Sequence, residues 1–254
     1  MDLLHGVVAF VSALAAGLVN ALAAGGTLLT FPTLIWLGLD SITANATSTV
    51  ALCAFSVGGA LGYRRELRTV QPRMWLVGIP GLFGGLAGAM LLRRTSSQVF
   101  DQVVPYLILF ATLLFLAQNL IQRRLKSSRP EAHHSTSWLI GAMAFQLLVG
   151  VYGGYFGAGI GILILASFSI LGMTDMHQMN GLKAVFAGSL NVVAALYFIQ
   201  QGMVYWPDVG LMALGSIIGG FAGASAARRI GQAAVRRVVI AVGFSMAIWL
   251  FVRA

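Results

Sequence analysis

Ten apolar runs, separated by short polar breaks, divide the chain. They fall at about 3–22, 28–38, 43–63, 74–92, 98–121, 138–155, 160–172, 178–201, 207–227 and 234–252. Most are close to 20 residues long, enough for a helix to cross a hydrocarbon core of roughly 30 Å. The runs 28–38 and 160–172 are shorter, and either span thinly or re-enter. The ten-residue alternating segments of a membrane β-barrel are absent from the pattern. It therefore predicts an all-α integral membrane protein with about eight to ten membrane segments. Composition agrees: 58% of the 254 residues are hydrophobic and 9% are charged, where a soluble domain carries roughly 25% charged residues. Mean hydropathy is +0.87, and the lipid bilayer is the expected surrounding.

The net charge of +9 does not point to nucleic acid, because the arginines cluster between apolar runs, where they set orientation. Arg64, Arg65, Arg68 and Arg73 share one loop. Arg123, Arg124, Lys126 and Arg129 lie in the hydrophilic stretch 122–137, and Arg228, Arg229, Arg236 and Arg237 in a third region. All three belong on the cytoplasmic side. They match only if the pair 138–155 and 160–172 makes no net crossing. The N-terminus MDLLHGVVAF has no basic segment ahead of its apolar run, so a cleaved secretory signal is not expected. The single cysteine, Cys53, excludes an internal disulfide and a cysteine-zinc site. His133 and His134, adjacent in the 122–137 stretch, are not expected to hold a metal.

The two halves resemble each other. GIPGLFGGLAGAMLLRR (78–94) and ALGSIIGGFAGASAARR (213–229) agree at seven of seventeen positions. Pro72 and Pro207, and Asn45 and Asn180, are each 135 residues apart; Gly25 and Gly159, and Gly38 and Gly172, are 134 apart. Residues 1–121 thus form a first transmembrane repeat, 122–137 a basic cytoplasmic linker, and 138–254 a second repeat. Each repeat has five runs. An odd unit repeated once is inverted in the membrane, an architecture of secondary transporters with a site at the repeat interface near the midplane. Loop charges agree: 64–73 carries four arginines, and its counterpart 201–208 carries none. The GxxxG pairs Gly84/Gly88 and Gly219/Gly223 read as close helix packing.

Two stretches break the apolar pattern at membrane depth. The first is AAGGT (23–27), with Gly25, Gly26 and Thr27, followed by Pro32. The second is GAGIG (157–161), with Gly157, Gly159 and Gly161. Irregular backbone there is tolerated only where it is buried in protein or lines a cavity. The start of the following half-helix offers N–H groups to an anion. Beside each break lies a polar cluster, Asn45, Thr47 and Ser48 in one half, Asn180 and Lys183 in the other. Asn180 and Lys183, three apart, share a helix face. Lys183 either snorkels to the interface or is a buried cation, which is costly and points to function. Ser56 and Asn191, aligned at the same offset, either line a pathway or tie helices together. Asn20 and Gln146 are further intramembrane polar residues. Asp175, Asp208 and His177 fall near run ends.

The doubled glycine-rich segment, Asn45-Ala-Thr-Ser48 and Asn180-Gly-Leu-Lys183 together resemble the sulfite exporter TauE/SafE family over nearly the whole chain. Thr27 stands where a third glycine is usual, and Ala166 where a second proline is. The resemblance implies an inner-membrane, multi-pass transporter of a small sulfur-containing or carboxylate anion, with sulfite, a sulfonate or a related oxyanion the leading expectation; no cofactor or metal is expected. Alternating access would bring the anion to Lys183, the half-helix ends and the asparagine and hydroxyl groups. Two other classes compete. An intramembrane enzyme needs a nucleophile with an acid or base at depth, and no histidine or carboxylate lies mid-run. A membrane scaffold predicts that the glycine breaks tolerate alanine.

Overall fold

The computed structural model describes residues 3–23, 25–62, 64–127, 136–173, 175–226 and 232–253. These are helices joined by turns and short irregular stretches, with no strand among the described residues. In order the helices are α1 (Leu3–Ala23), α2 (Thr27–Trp36), α3 (Ser41–Gly62), α4 (Arg64–Leu67), α5 (Pro72–Leu76) and α6 (Ile79–Arg94). They continue as α7 (Ser97–Ser127), α8 (Thr136–Tyr155), α9 (Ile160–Ile170), α10 (Met176–Gln200), α11 (Trp206–Ala226) and α12 (Gln232–Arg253). Leu3–Asn20, Pro72–Arg94, Ser97–Ala117 and Gln178–Gln200 are long and apolar enough to cross a membrane by length and composition. The stretches 128–135 and 227–231 lie outside the described residues, and with them His133, His134, Arg228 and Arg229.

Helix α7 shows how a membrane bundle sorts its apolar residues. Phe100, Val104, Ile108, Ala111 and Phe115 form a buried stripe at three- and four-residue spacing, while Tyr106, Phe110, Leu113 and Leu116 on the other face are exposed. In water such a helix would hide both faces; in lipid the exposed face needs no cover. The helix runs to Ser127, so the first six residues of the expected linker extend it. The run 74–92 divides between α5 and α6. Pro80 sits at the start of α6, where its missing N–H disturbs no helical bond.

Two helix pairs dominate the packing, α1 with α11 and α6 with α8. Each joins one half of the chain to the other, and under the sequence offset the pairs are counterparts. Backbones touch in both. A Cβ added to Gly219 would collide with the Leu14 carbonyl, and one on Gly84 with the Leu147 carbonyl. The doubled glycine motifs therefore serve close packing, as their spacing predicts.

The same contacts fix direction. His5 meets Asp208 at the start of both α1 and α11, and Leu14 lies beside Gly219 further along, so these helices are parallel. Gly84 beside Leu147 and Gly88 beside Val151 make α6 and α8 parallel too. Helices α3 and α10 are antiparallel. Tyr205, just beyond α10, donates its N–H to Thr47 near the start of α3 (3.0 Å). Gln178, near the start of α10, donates to Thr69 beyond the end of α3 (3.0 Å). It follows that α8 starts on the side of the 64–73 loop, and that α9 returns to that side to meet α10. Likewise α1 starts on the opposite side, and α2 returns there to meet α3. Each pair is a hairpin with no net crossing. Helices α2 and α9, with 10 and 11 residues, rise only about 15 Å, half the hydrocarbon core.

Both short helices stop in the same way. Gly38 and Gly172 are left-handed, with φ of 97° and 82°. The N–H of Leu39 reaches the Leu34 carbonyl, and that of Met173 the Phe168 carbonyl. The Gly38 N–H bonds Ile35 and the Gly172 N–H bonds Ser169. This is the Schellman pattern, repeated at the 134-residue offset read from the sequence.

Candidate anion site at two helix breaks

Each hairpin turns at one of the predicted breaks, and the two lie together. Phe31 of α2 packs edge-on to Phe156 of the second break, with centroids 5.4 Å apart. Gly25 lies against the Phe115 ring and Gly159 against Ala111, one turn apart on α7. Two breaks distant in sequence thus flank the same level of one helix.

Their backbones differ. At the first, Gly26 is right-handed, with φ −57° and ψ −36°. Glycine is required there by crowding: the Asn20 side-chain nitrogen lies 2.6 Å from where its Cβ would be. The Gly26 N–H donates to Asn20 Oδ1 (2.8 Å), and α2 begins at Thr27. The second break is left-handed twice, with φ of 81° at Gly157 and 78° at Gly159, a region side chains disfavour. Tyr152 donates its hydroxyl to the Ala158 carbonyl (2.6 Å), and Gly161 is buried in the first turn of α9.

The polar residues divide into four sets. Ser48 Oγ and Thr30 Oγ1 are 2.6 Å apart and fully buried, tying α3 to α2. Asn45, 1% exposed, donates from Nδ2 to the Tyr155 carbonyl at the end of α8 (3.0 Å), while its Oδ1 is buried without a hydrogen-bond partner. Thr47 is occupied by the Tyr205 N–H. In the second half Lys183 Nζ donates to Asn180 Oδ1 (3.0 Å), so the shared face read from the spacing is a direct contact. Because α3 and α10 are antiparallel, Asn45–Ser48 and Asn180–Lys183 lie toward opposite ends of that pair. Asn191 is partly buried on α10; the Ser56 side chain lies outside the described residues.

The geometry adds three residues to the expected site. Thr30 was masked by its place inside an apolar run; its signal is the one-turn spacing from Gly26, whose carbonyl its hydroxyl also reaches (3.3 Å). Tyr152 and Asn20 reveal themselves by a common spacing, each six residues before the backbone group it holds. Among the described residues no group of three or more His, Cys, Asp or Glu is placed to hold a metal ion. The arrangement offers the Lys183 cation, the starts of two half-helices and amide groups, which suit an anion.

Comparison with known proteins points to a membrane transporter. The family model described as Sulfite exporter TauE/SafE matches residues 9–250. A "Probable membrane transporter protein" of Haemophilus influenzae is 26% identical over 232 residues, covering 91% of this chain and 88% of its own. "Probable membrane transporter protein YfcA" of Escherichia coli K12 is 26% identical over 245 residues, covering 96% and 88%. "Probable membrane transporter protein ORF9" of a Sinorhizobium species is 25% identical over 247 residues, covering 95% and 90%. No solved structure matches.

Proposed function

The chain belongs to the sulfite exporter TauE/SafE family of membrane transporters, and on that premise we propose that it carries a small sulfur-containing anion across the inner membrane by alternating access. Sulfite, a sulfonate or a related oxyanion is the proposed cargo, and the protein catalyses no covalent step. The observation that carries the anion reading is Lys183, partly buried within apolar α10 and hydrogen-bonded to Asn180. An intramembrane cation held this way is costly unless it serves a ligand.

Alternating access is supported by the opposed starts of the two halves. Helix α1 begins on the side away from the arginine-rich 64–73 loop and α8 begins beside it, as an inverted repeat requires. With arginines inside, the Asn45–Ser48 cluster belongs to the outer half and Asn180–Lys183 to the cytoplasmic half. Gly25, Gly26, Thr27, Gly157, Gly159 and Gly161 shape the backbone between them, and Asn191 with Ser56 lies along the path.

Anion flux into proteoliposomes tests this, with sulfite, thiosulfate, sulfonates and small carboxylates offered in turn. Wild-type protein is expected to carry at least one sulfur oxyanion, and Lys183→Gln, inserted in equal amount, to lose most of that flux. Equal flux in both would remove Lys183 from the site.

A further inference from the structure

We propose that Gln146 is a further binding residue for the substrate anion, its side-chain amide completing the site that Lys183 and Asn180 begin. This rests on the transport reading above.

Gln146 lies in the middle of α8 and is 3% exposed. Its Oε1 is buried without a hydrogen-bond partner. Its neighbours along the buried stripe of α8 are Ala142 and Val149, which join Leu182, Phe186 and Leu190 of α10 in one apolar cluster. An amide oxygen left unpaired in such surroundings lowers stability. A methionine would fill the same space without that cost, so packing alone does not ask for a glutamine here. A group that is costly to the fold and has no partner within it points to a ligand.

The helix frame says which ligand. Helices α8 and α10 both start on the side of the 64–73 loop and run parallel. They meet at Gly153 and Leu190, where a Cβ built on the glycine would lie 2.9 Å from Leu190 Cδ2. Gln146 lies seven residues before Gly153, and Lys183 seven before Leu190. Seven residues are two turns, a rise of about 10 Å with a drift of only about 20°. Gln146 and Lys183 therefore stand at the same level, on the facing sides of their helices. The ammonium does not close on the amide oxygen; it donates along its own helix to Asn180 Oδ1 (3.0 Å). An oxyanion has several oxygens to satisfy, and one ammonium shared with Asn180 leaves some of them unpaired. A glutamine amide carries two N–H donors. Because nothing holds Oε1, a half-turn of the amide plane presents Nε2 instead, with almost no change in the space it fills. Lys183 and Gln146 then hold different oxygens of one anion, and the apolar residues around the amide strengthen its bond.

The test uses Gln146→Met, which keeps the unbranched shape and loses the amide, and Gln146→Glu, which keeps the shape and adds a negative charge. Labelled sulfite uptake into proteoliposomes is read together with the melting temperature in detergent, with and without sulfite. For Gln146→Met the apparent KM is expected to rise about tenfold, the scale of one lost hydrogen bond, at little changed Vmax. Without sulfite this variant should melt no lower than wild type, because the unpaired amide is gone, and sulfite should raise its melting temperature less than it raises that of wild type. Gln146→Glu, whose carboxylate repels the anion and competes for Lys183, should raise KM further. An unchanged KM in Gln146→Met overturns the proposal. So does a KM rise that comes with a clear fall in melting temperature, which would make the amide a structural contact. Wild-type protein that carries sulfite alongside either result leaves the transport reading standing. Wild-type protein that carries no anion of the panel overturns that reading, and this proposal with it.

Discussion

Ser48 and Thr30 show how a residue singled out for chemistry can be held by structure. Their hydroxyls face each other 2.6 Å apart with no exposure. Ser48→Ala leaves the Thr30 hydroxyl with only the 3.3 Å contact to Gly26, so a loss of about 1–3 kcal/mol is expected. Thermal unfolding in detergent checks it: a clear fall in melting temperature with flux per folded molecule retained is the expected result. Unchanged stability with flux abolished would instead make Ser48 a direct substrate contact. The sequence showed which residues are polar at depth, and the Asn180–Lys183 contact followed from their spacing. It did not show that Thr30 meets Ser48, or that Asn45 meets the Tyr155 carbonyl, 110 residues away. Those pairs depend on how helices dock, which no local pattern encodes.

At the scale of helices, glycine does two separable things. Gly38 ends α2 in a left-handed turn with open space around it, whereas Gly219 lets α11 touch the α1 backbone. Gly38→Ala should therefore cost only the conformational penalty, about 1–2 kcal/mol. Gly219→Ala must push two helices apart, and should lower stability more. Melting temperatures of the two variants side by side decide this; equal falls would mean that α1 and α11 pack less closely than described. The glycine spacing made the packing legible beforehand. The division of the 74–92 run was not, although Gly78 and Pro80 mark it, because a proline inside a membrane run can equally be absorbed, as Pro105 is within α7. The short lengths of 28–38 and 160–172 left spanning and re-entry open; the bonds that place α3 and α10 decide that each pairs with its predecessor as a hairpin.

For the whole molecule, the sequence suggests a repeat because glycine, proline and asparagine recur at a nearly constant offset, and an orientation because arginines gather in alternate loops. What stayed hidden is that the halves exchange partners, α1 packing on α11 and α6 on α8. Each close pair holds one helix from each half, so the halves cannot rock as separate bodies without breaking backbone contacts. Sidedness follows from the same frame. In a background where Cys53 is replaced by serine, a cysteine at Arg68 should react with an impermeant thiol reagent only from the cytoplasmic side, and one at Gln201 only from outside. Both reacting from one side would refute the orientation.

The central proposal is that a small anion reaches the level of the two breaks from either side in turn. A single cysteine at Ala158, in the same Cys53→Ser background, measures this most directly. Its labelling by small impermeant thiol reagents would be followed from each face of oriented vesicles, with and without sulfite. The account predicts slow labelling from both faces and protection by sulfite. Labelling from one face only, or labelling that sulfite leaves unchanged, would contradict it.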